Sequence, residues 1–176
     1  MGELRKANYD ALFFLSTAVV GWIDVFSREE YTHILVDSLQ FCQREKGLEI
    51  YGYVIMTNHF HLLATQSDGN LQKVMQHLKS YTAKQIIKAI EENPTESRKD
   101  WLLHMFRFHA RYNKSYEQYH FWQQDNHPIE CFSSEVAFQK QAYIHLNPVR
   151  AGYVDEPHYW RYSSANPNSP IKVLSL

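Results

Sequence analysis

Hydrophobic and polar positions change period several times along this chain. Ala11 to Val20 is apolar and partly β-branched, bounded by Asp10 and Gly21, which predicts a central strand. Ser27-Arg28-Glu29-Glu30 reads as a helix start, with Ser27 as cap and a carboxylate three residues on. Tyr31, Ile34, Leu35, Leu39 and Cys42 follow at helical spacing, and Gly47 ends that helix after Arg44 and Lys46. Residues 48–56 predict a second strand. Thr57 and Asn58 turn the chain, and residues 59–65 form a third strand antiparallel to the second. Asn70 is placed to cap a helix over about residues 71–92, with Val74, Leu78, Tyr81, Gln85 or Ile86, and Ala89 facing inward. Asn93-Pro94 stops it, and residues 96–100 read as a charged linker. Residues 101–119 show no clean period, and residues 120–123 suggest a short edge strand. Ser133 caps a last helix with Glu135 near its positive end, and Pro148 is expected to end it at Asn147. The tail from about residue 163 reads as irregular. No repeat or low-complexity tract interrupts the chain, so residues 1–176 are expected to form one domain.

Composition narrows the function classes. Hydrophobic residues at 44%, with 15% aromatic, support a packed core and exclude a disordered chain. A net charge of -1 means that nucleic-acid binding would have to rest on local patches rather than bulk charge. Cys42 and Cys131 are too few and too far apart for a disulfide framework or zinc knuckle, which fits a reducing, cytoplasmic setting. The stretch from Ala11 to Val20 is too short to span a bilayer, and no convincing signal-peptide cleavage site follows it.

Two constellations carry candidate chemistry. His59 and His61 are two apart, so on a strand both imidazoles share one face, while Phe60 and Leu62 point to the other. That pair is half a site for a divalent metal; the plainer reading is two polar positions on a half-buried strand. Tyr143 and Asn147 are four apart, neighbours on one helix face, with His145 on another side. Alone, they read as a packed tyrosine and a helix-terminal amide. If this helix packs over the histidine face, the four groups form one site. A tyrosine hydroxyl, with an ordinary pKa of about 10, is a weak nucleophile and needs an activated electrophile. A divalent ion held by His59, His61 and Asn147 would polarise a phosphate for in-line attack by Tyr143, releasing a 3′ hydroxyl. Lys73, His77, Lys84 and Lys88 trace one outer helix stripe. Arg107, His109, Arg111 and Lys114 interleave with aromatics, a pattern that suits base stacking and phosphate pairing. With Arg150 near the site, Lys73, His77, Lys84, Lys88, Arg107 and Arg111 make the candidate DNA surface; an ordinary solvated helix face is the plainer reading of the stripe.

His59-Phe60-His61 matches the His-hydrophobe-His signature of HUH endonucleases. Tyr143 and Asn147, followed by Pro148-Val149-Arg150-Ala151-Gly152, closely resemble the corresponding block of REP-associated tyrosine transposases, relatives of the single-tyrosine transposases of small single-strand-excising insertion sequences. The resemblance spans nearly the whole chain. It implies an α+β, ferredoxin-like αβ sandwich with an antiparallel sheet and helices packed on it. It implies Mg²⁺- or Mn²⁺-dependent cleavage of single-stranded or hairpin DNA through a 5′-phosphotyrosine, in a monomer or homodimer associated with the nucleoid. Thr57 stands where many relatives carry proline, a turn variation. The tail lacks the basic extension of some relatives. Two other readings remain open: a domesticated relative that binds DNA without cleaving it, and a metal hydrolase using His59 and His61 with His127 or Cys131, although Pro128 lies between the latter two.

Overall fold

The period-two stretches and the helical stretches assort into two layers and a covering helix. This is a computed structural model, and it describes residues 11–112, 118–124 and 128–176. The strands are β1 (Phe13–Ala18), β2 (Leu48–Ile55), β3 (His59–Gln66) and β4 (Ile129–Glu130). The helices are α1 (Glu29–Glu45), α2 (Leu71–Glu92), α3 (Lys99–Ala110) and α4 (Ser134–Arg150). The strands form one antiparallel sheet in the order β2-β3-β1-β4, with β1 and α1 leading into the β2–β3 hairpin, as expected for a ferredoxin-like α+β sandwich.

Strand β3 divides the core because its side chains alternate faces. Phe60 and Leu62 join a large cluster with Leu35 and Leu39 of α1, Leu78 and Ile86 of α2, and Leu102 and Phe106 of α3. Leu63 faces the other way and packs with Phe14, Val54, Met56 and Ile144, the last from α4. Thus α1, α2 and α3 cover one face of the sheet, and α4 lies across the other. A bulge at Tyr51 breaks the β2–β3 register between Ile50 and Gly52. The Tyr51 carbonyl accepts from Gln141 Nε2 of α4 at 2.9 Å, so the bulge also ties α4 to the sheet.

Several local signals gave way to longer-range partners. Ser27 does not cap α1: its hydroxyl donates to the Asp24 carbonyl at 3.1 Å, and Arg28 takes the cap position. Asn70 precedes α2 without a side-chain cap bond, and Gln66 Oε1 holds the loop before it by accepting from the Asn70 and Asp68 N–H groups. Tyr81 is exposed; its neighbour Thr82 is buried instead and accepts from Trp122 Nε1 at 3.0 Å. The linker at 96–100 contains the start of α3, and Glu96 is buried beside Arg28 and Arg98. Residues 120–123 form no strand beyond a single Val19–Trp122 bridge. Pro148 does not end α4. Its missing N–H removes one bond in the final turn, and the stop comes at Gly152, whose φ is +74°. There the Gly152 N–H bonds the Val149 carbonyl and the Tyr153 N–H bonds the Pro148 carbonyl, a Schellman closure. Ser133 does cap α4, accepting from the Val136 N–H. The tail is irregular but anchored: the Tyr162 carbonyl accepts from Ile55 N, and Leu174 N donates to the Ile50 carbonyl.

Candidate active site

Antiparallel pairing sets His61 opposite Ser16 and His59 opposite Ala18, both imidazoles on the α4 side of the sheet. Their ring centroids lie 4.9 Å apart. Phe14, two strand positions from Ser16, stacks on His61 at 5.2 Å. The Tyr143 ring meets His61 edge-on at 5.4 Å and Phe14 at 5.7 Å. The Asn147 side chain comes within hydrogen-bonding reach of His59. The structure therefore brings His59, His61, Tyr143 and Asn147 together within one chain. Because α4 turns once in 3.6 residues, Lys140, Tyr143, Asn147 and Arg150 share the face turned to the histidines while Ile144 anchors the core side. His145 leaves that face to pair with Ser164 Oγ at 2.9 Å.

Burial sets the protonation of the pair. It pushes the His61 pKa down to about 3, helped by the neighbouring His59 and by Lys140. The same desolvation lowers His59, against a smaller opposing effect from Asn147. Both imidazoles are thus neutral near pH 7, as metal coordination requires. His61 Nδ1 and Nε2 are both buried without a hydrogen-bond partner, the Leu15 backbone approaching without completing a bond. Orphaned ring nitrogens at this depth are costly unless something occupies them. Two neutral imidazoles and an amide fit a divalent cation with open positions for water or substrate. Among the described residues no three His, Cys, Asp or Glu side chains cluster, so a third protein donor at this position would be the Asn147 amide.

His59 is oriented from behind. Asn58 Nδ2 donates to the Trp22 carbonyl at 3.2 Å and to Asp24 Oδ1 at 3.0 Å. That leaves Asn58 Oδ1 to accept from His59 Nδ1, 2.7 Å away, so the lone pair stays on Nε2. Asp24 also accepts from the Thr57 hydroxyl. Asn58→Ala should release this tautomer and lower metal affinity roughly 10–100-fold. Calorimetric titration with Mn²⁺ measures this, and an unchanged affinity would show that Asn58 only shapes the turn.

The basic residues are spread over both layers. Arg150 lies against the Tyr143 ring, its guanidinium carbon 5.5 Å from the centroid. Lys73, His77, Lys84 and Lys88 are exposed on α2, in the layer across the sheet from Tyr143, and Lys88 pairs with Glu92 at 3.8 Å. Arg107 donates to Tyr119 Oη at 2.8 Å and also stacks on that ring. Arg111 is exposed just past α3, whose His109 packs against Gly21. Lys114 and His127 lie outside the described residues. Cys131 packs beside the Phe14 cluster, and burial pushes its thiol pKa up. Phe14, Trp22, Asp24, Asn58 and Lys140 border the site without having been assigned a role from sequence. Only Asn58, adjacent to His59, carried a local signal.

The comparisons bear on the fold and on the family the chain resembles. Residues 23–107 match the family model described as "Transposase IS200 like". This span includes His59 and His61 and stops before Tyr143 and Asn147. A solved structure of a REP-associated tyrosine transposase bound to a REP hairpin is similar over 93% of this chain and 82% of that chain, with a TM-score of 0.64 and 17% identity. No curated protein matches the chain significantly.

Proposed function

We propose, from the match of residues 23–107 to the IS200-like transposase family model, that the chain is a single-strand DNA endonuclease and strand transferase with Tyr143 as nucleophile. The observation that carries this reading is the placement of Tyr143 edge-on to His61, beside two neutral imidazoles and within one helical turn of Asn147. His59, His61 and Asn147 would hold Mg²⁺ or Mn²⁺, which supplies polarisation of the scissile phosphate when bound. Tyr143 Oη attacks phosphorus and gives up its phenolic proton to solvent, the bond to the 3′ oxygen breaks, and that oxygen takes a proton from solvent to leave a 3′ hydroxyl. The phosphotyrosine retains the energy of the phosphodiester, so a 3′ hydroxyl can reverse the attack and rejoin strands without ATP. Arg150 and Lys140, on either side of Tyr143 along α4, would offset phosphate charge. Hairpin DNA is the substrate class to test first, by analogy with the DNA held by the similar solved structure. Within this chain α4 docks on its own sheet through Ile144 and Gln141, which supports a nucleophile acting in cis.

Incubating the protein with labelled single-stranded hairpins and Mn²⁺ should give a covalent protein–DNA adduct on denaturing gels, lost with chelator. Binding without an adduct for any substrate or divalent ion would instead support a non-cleaving DNA-binding relative. Phosphate contacts make DNA affinity fall with salt. Replacing Lys73 and Lys84 with Gln should reduce the slope of log affinity against log salt by about 1–2, while leaving any base preference intact. An unchanged slope would mark the α2 stripe as a solvated face outside the DNA path.

A further inference from the structure

Beside the histidines stands an aromatic residue that folding does not explain. Trp22 is 57% exposed, yet its backbone sits at φ +55°, a region where a bulky side chain is a true outlier. The preceding Gly21 is also left-handed at φ +61°, and a Cβ there would meet His109 Nε2 at 2.8 Å. The turn is held from several sides. The Trp22 N–H bonds the Val19 carbonyl at 3.1 Å, and the Trp22 carbonyl accepts from Asn58, the residue that orients His59. The outcome of these constraints is an indole lying perpendicular to His59, centroids 5.6 Å apart and planes at 76°, with more than half its surface open to solvent. Strain kept at an exposed position is characteristic of functional sites. Next to Gly21, the end of α3 continues the aromatic surface. Phe108 meets His109 at 5.7 Å and Tyr112 at 5.3 Å, and both Phe108 and Tyr112 are exposed, flanking Arg111.

We propose that the Trp22 indole is a stacking platform for the nucleobase flanking the scissile phosphate, with the strand continuing toward Phe108, Arg111 and Tyr112. The proposal rests on the transposase reading and adds to it a base-binding position. An indole face accepts any base, so this site sets where the strand lies rather than which base is read. Trp22 touches no reacting atom and acts by holding the strand in register with Tyr143.

The test is an abasic scan of single-stranded DNA by fluorescence anisotropy with the full chain and Mn²⁺, each position in turn losing its base. The wild type should lose roughly tenfold in affinity at one position adjacent to the cleaved phosphate. Trp22→Ala should bind intact DNA about as weakly as the wild type binds that abasic strand, and should lose sensitivity there alone. Trp22→Phe should recover most of the affinity, and Trp22→Leu, apolar but without a π face, should not. Melting curves identify any variant that fails to fold, in which case the Phe and Leu pair decides. Additive losses from Trp22→Ala and every abasic position, or equal binding by the Phe and Leu variants, would overturn the platform. Failure of the wild type to bind any single strand would overturn the transposase reading itself, a different result from binding without coupling.

Discussion

Tyr143→Phe is expected to keep the fold and DNA binding and to abolish the covalent adduct, a loss of at least about 10³-fold in cleavage. The substitution removes one oxygen and keeps the ring that packs against Phe14 and His61 and lies under Arg150. No general base or solvent nucleophile inherits the role, because the product measured is a bond to the side chain itself. His61→Ala should damage cleavage nearly as much by a different route. It removes a buried ring that Phe14 stacks on and that would supply one donor of the proposed metal site, so both Mn²⁺ affinity and adduct yield should fall. Asn147→Ala should do least of the three, since water can replace a neutral amide oxygen, and raised Mn²⁺ should restore part of the yield. Calorimetry and denaturing gels on the same variants separate nucleophile from ligand: Tyr143→Phe loses adduct with metal affinity intact, and His61→Ala loses both. A persistent adduct in Tyr143→Phe would move the nucleophile elsewhere. Tyr153 is the alternative by sequence, but its hydroxyl already lies 3.2 Å from Thr57 Oγ1 and its ring packs on Trp160.

The parts of this architecture that were legible in the sequence are those with a clean local period. The histidine face of β3 follows from strict alternation, and α1 and the start of α2 follow from apolar positions repeating every three or four residues. Helix α3 was hidden because its buried positions Leu102, Leu103, Phe106 and Ala110 are interleaved with the exposed aromatics Trp101 and Phe108, which blurs the period. At the end of α4, Pro148 suggested a stop by its effect on the preceding residue, whereas the chain stops where Gly152 can adopt positive φ and close the last carbonyls. Tyr143 and Asn147 were legible as a pair. Their meeting with His59 and His61 depends on α4 crossing the opposite sheet face, a relation between residues some 80 apart that no local spacing encodes. The bonds from Asn58 to Trp22 and Asp24, and the strain at Trp22, are likewise contacts between loops and leave no periodic trace.

The same blindness to loop contacts made Glu96 look like part of a charged linker, and its removal should be strongly destabilising. Its side chain is fully buried, with Arg98 Nε at 3.2 Å and Arg28 Nε at 3.4 Å. Tyr31 Oη donates to the same carboxylate at 3.3 Å, and Arg98 Nη1 reaches on to the Asp24 carbonyl at 2.8 Å. Glu96 therefore supports the segment whose Asp24 carboxylate holds Thr57 and Asn58 behind His59. Burial by itself would raise the Glu96 pKa; hydrogen bonds from the Arg98 side chain and backbone and the charges of Arg98 and Arg28 outweigh it and leave the pKa below its ordinary value. A carboxylate depressed in the folded state contributes stability that is fully present above its unfolded pKa of about 4.3 and is lost as pH falls through the lower folded value. Glu96→Gln should cost about 3 kcal/mol near pH 7, at the low end for breaking a buried pair because both arginines retain access to water. It should also flatten the acid side of the stability curve, so that wild type and variant converge as pH drops below about 4. Urea unfolding at a series of pH values measures both effects. A constant gap between the two proteins down to about pH 3 would mean that the glutamate acts through packing and neutral hydrogen bonds, and that its charge contributes nothing to holding the Asp24 segment.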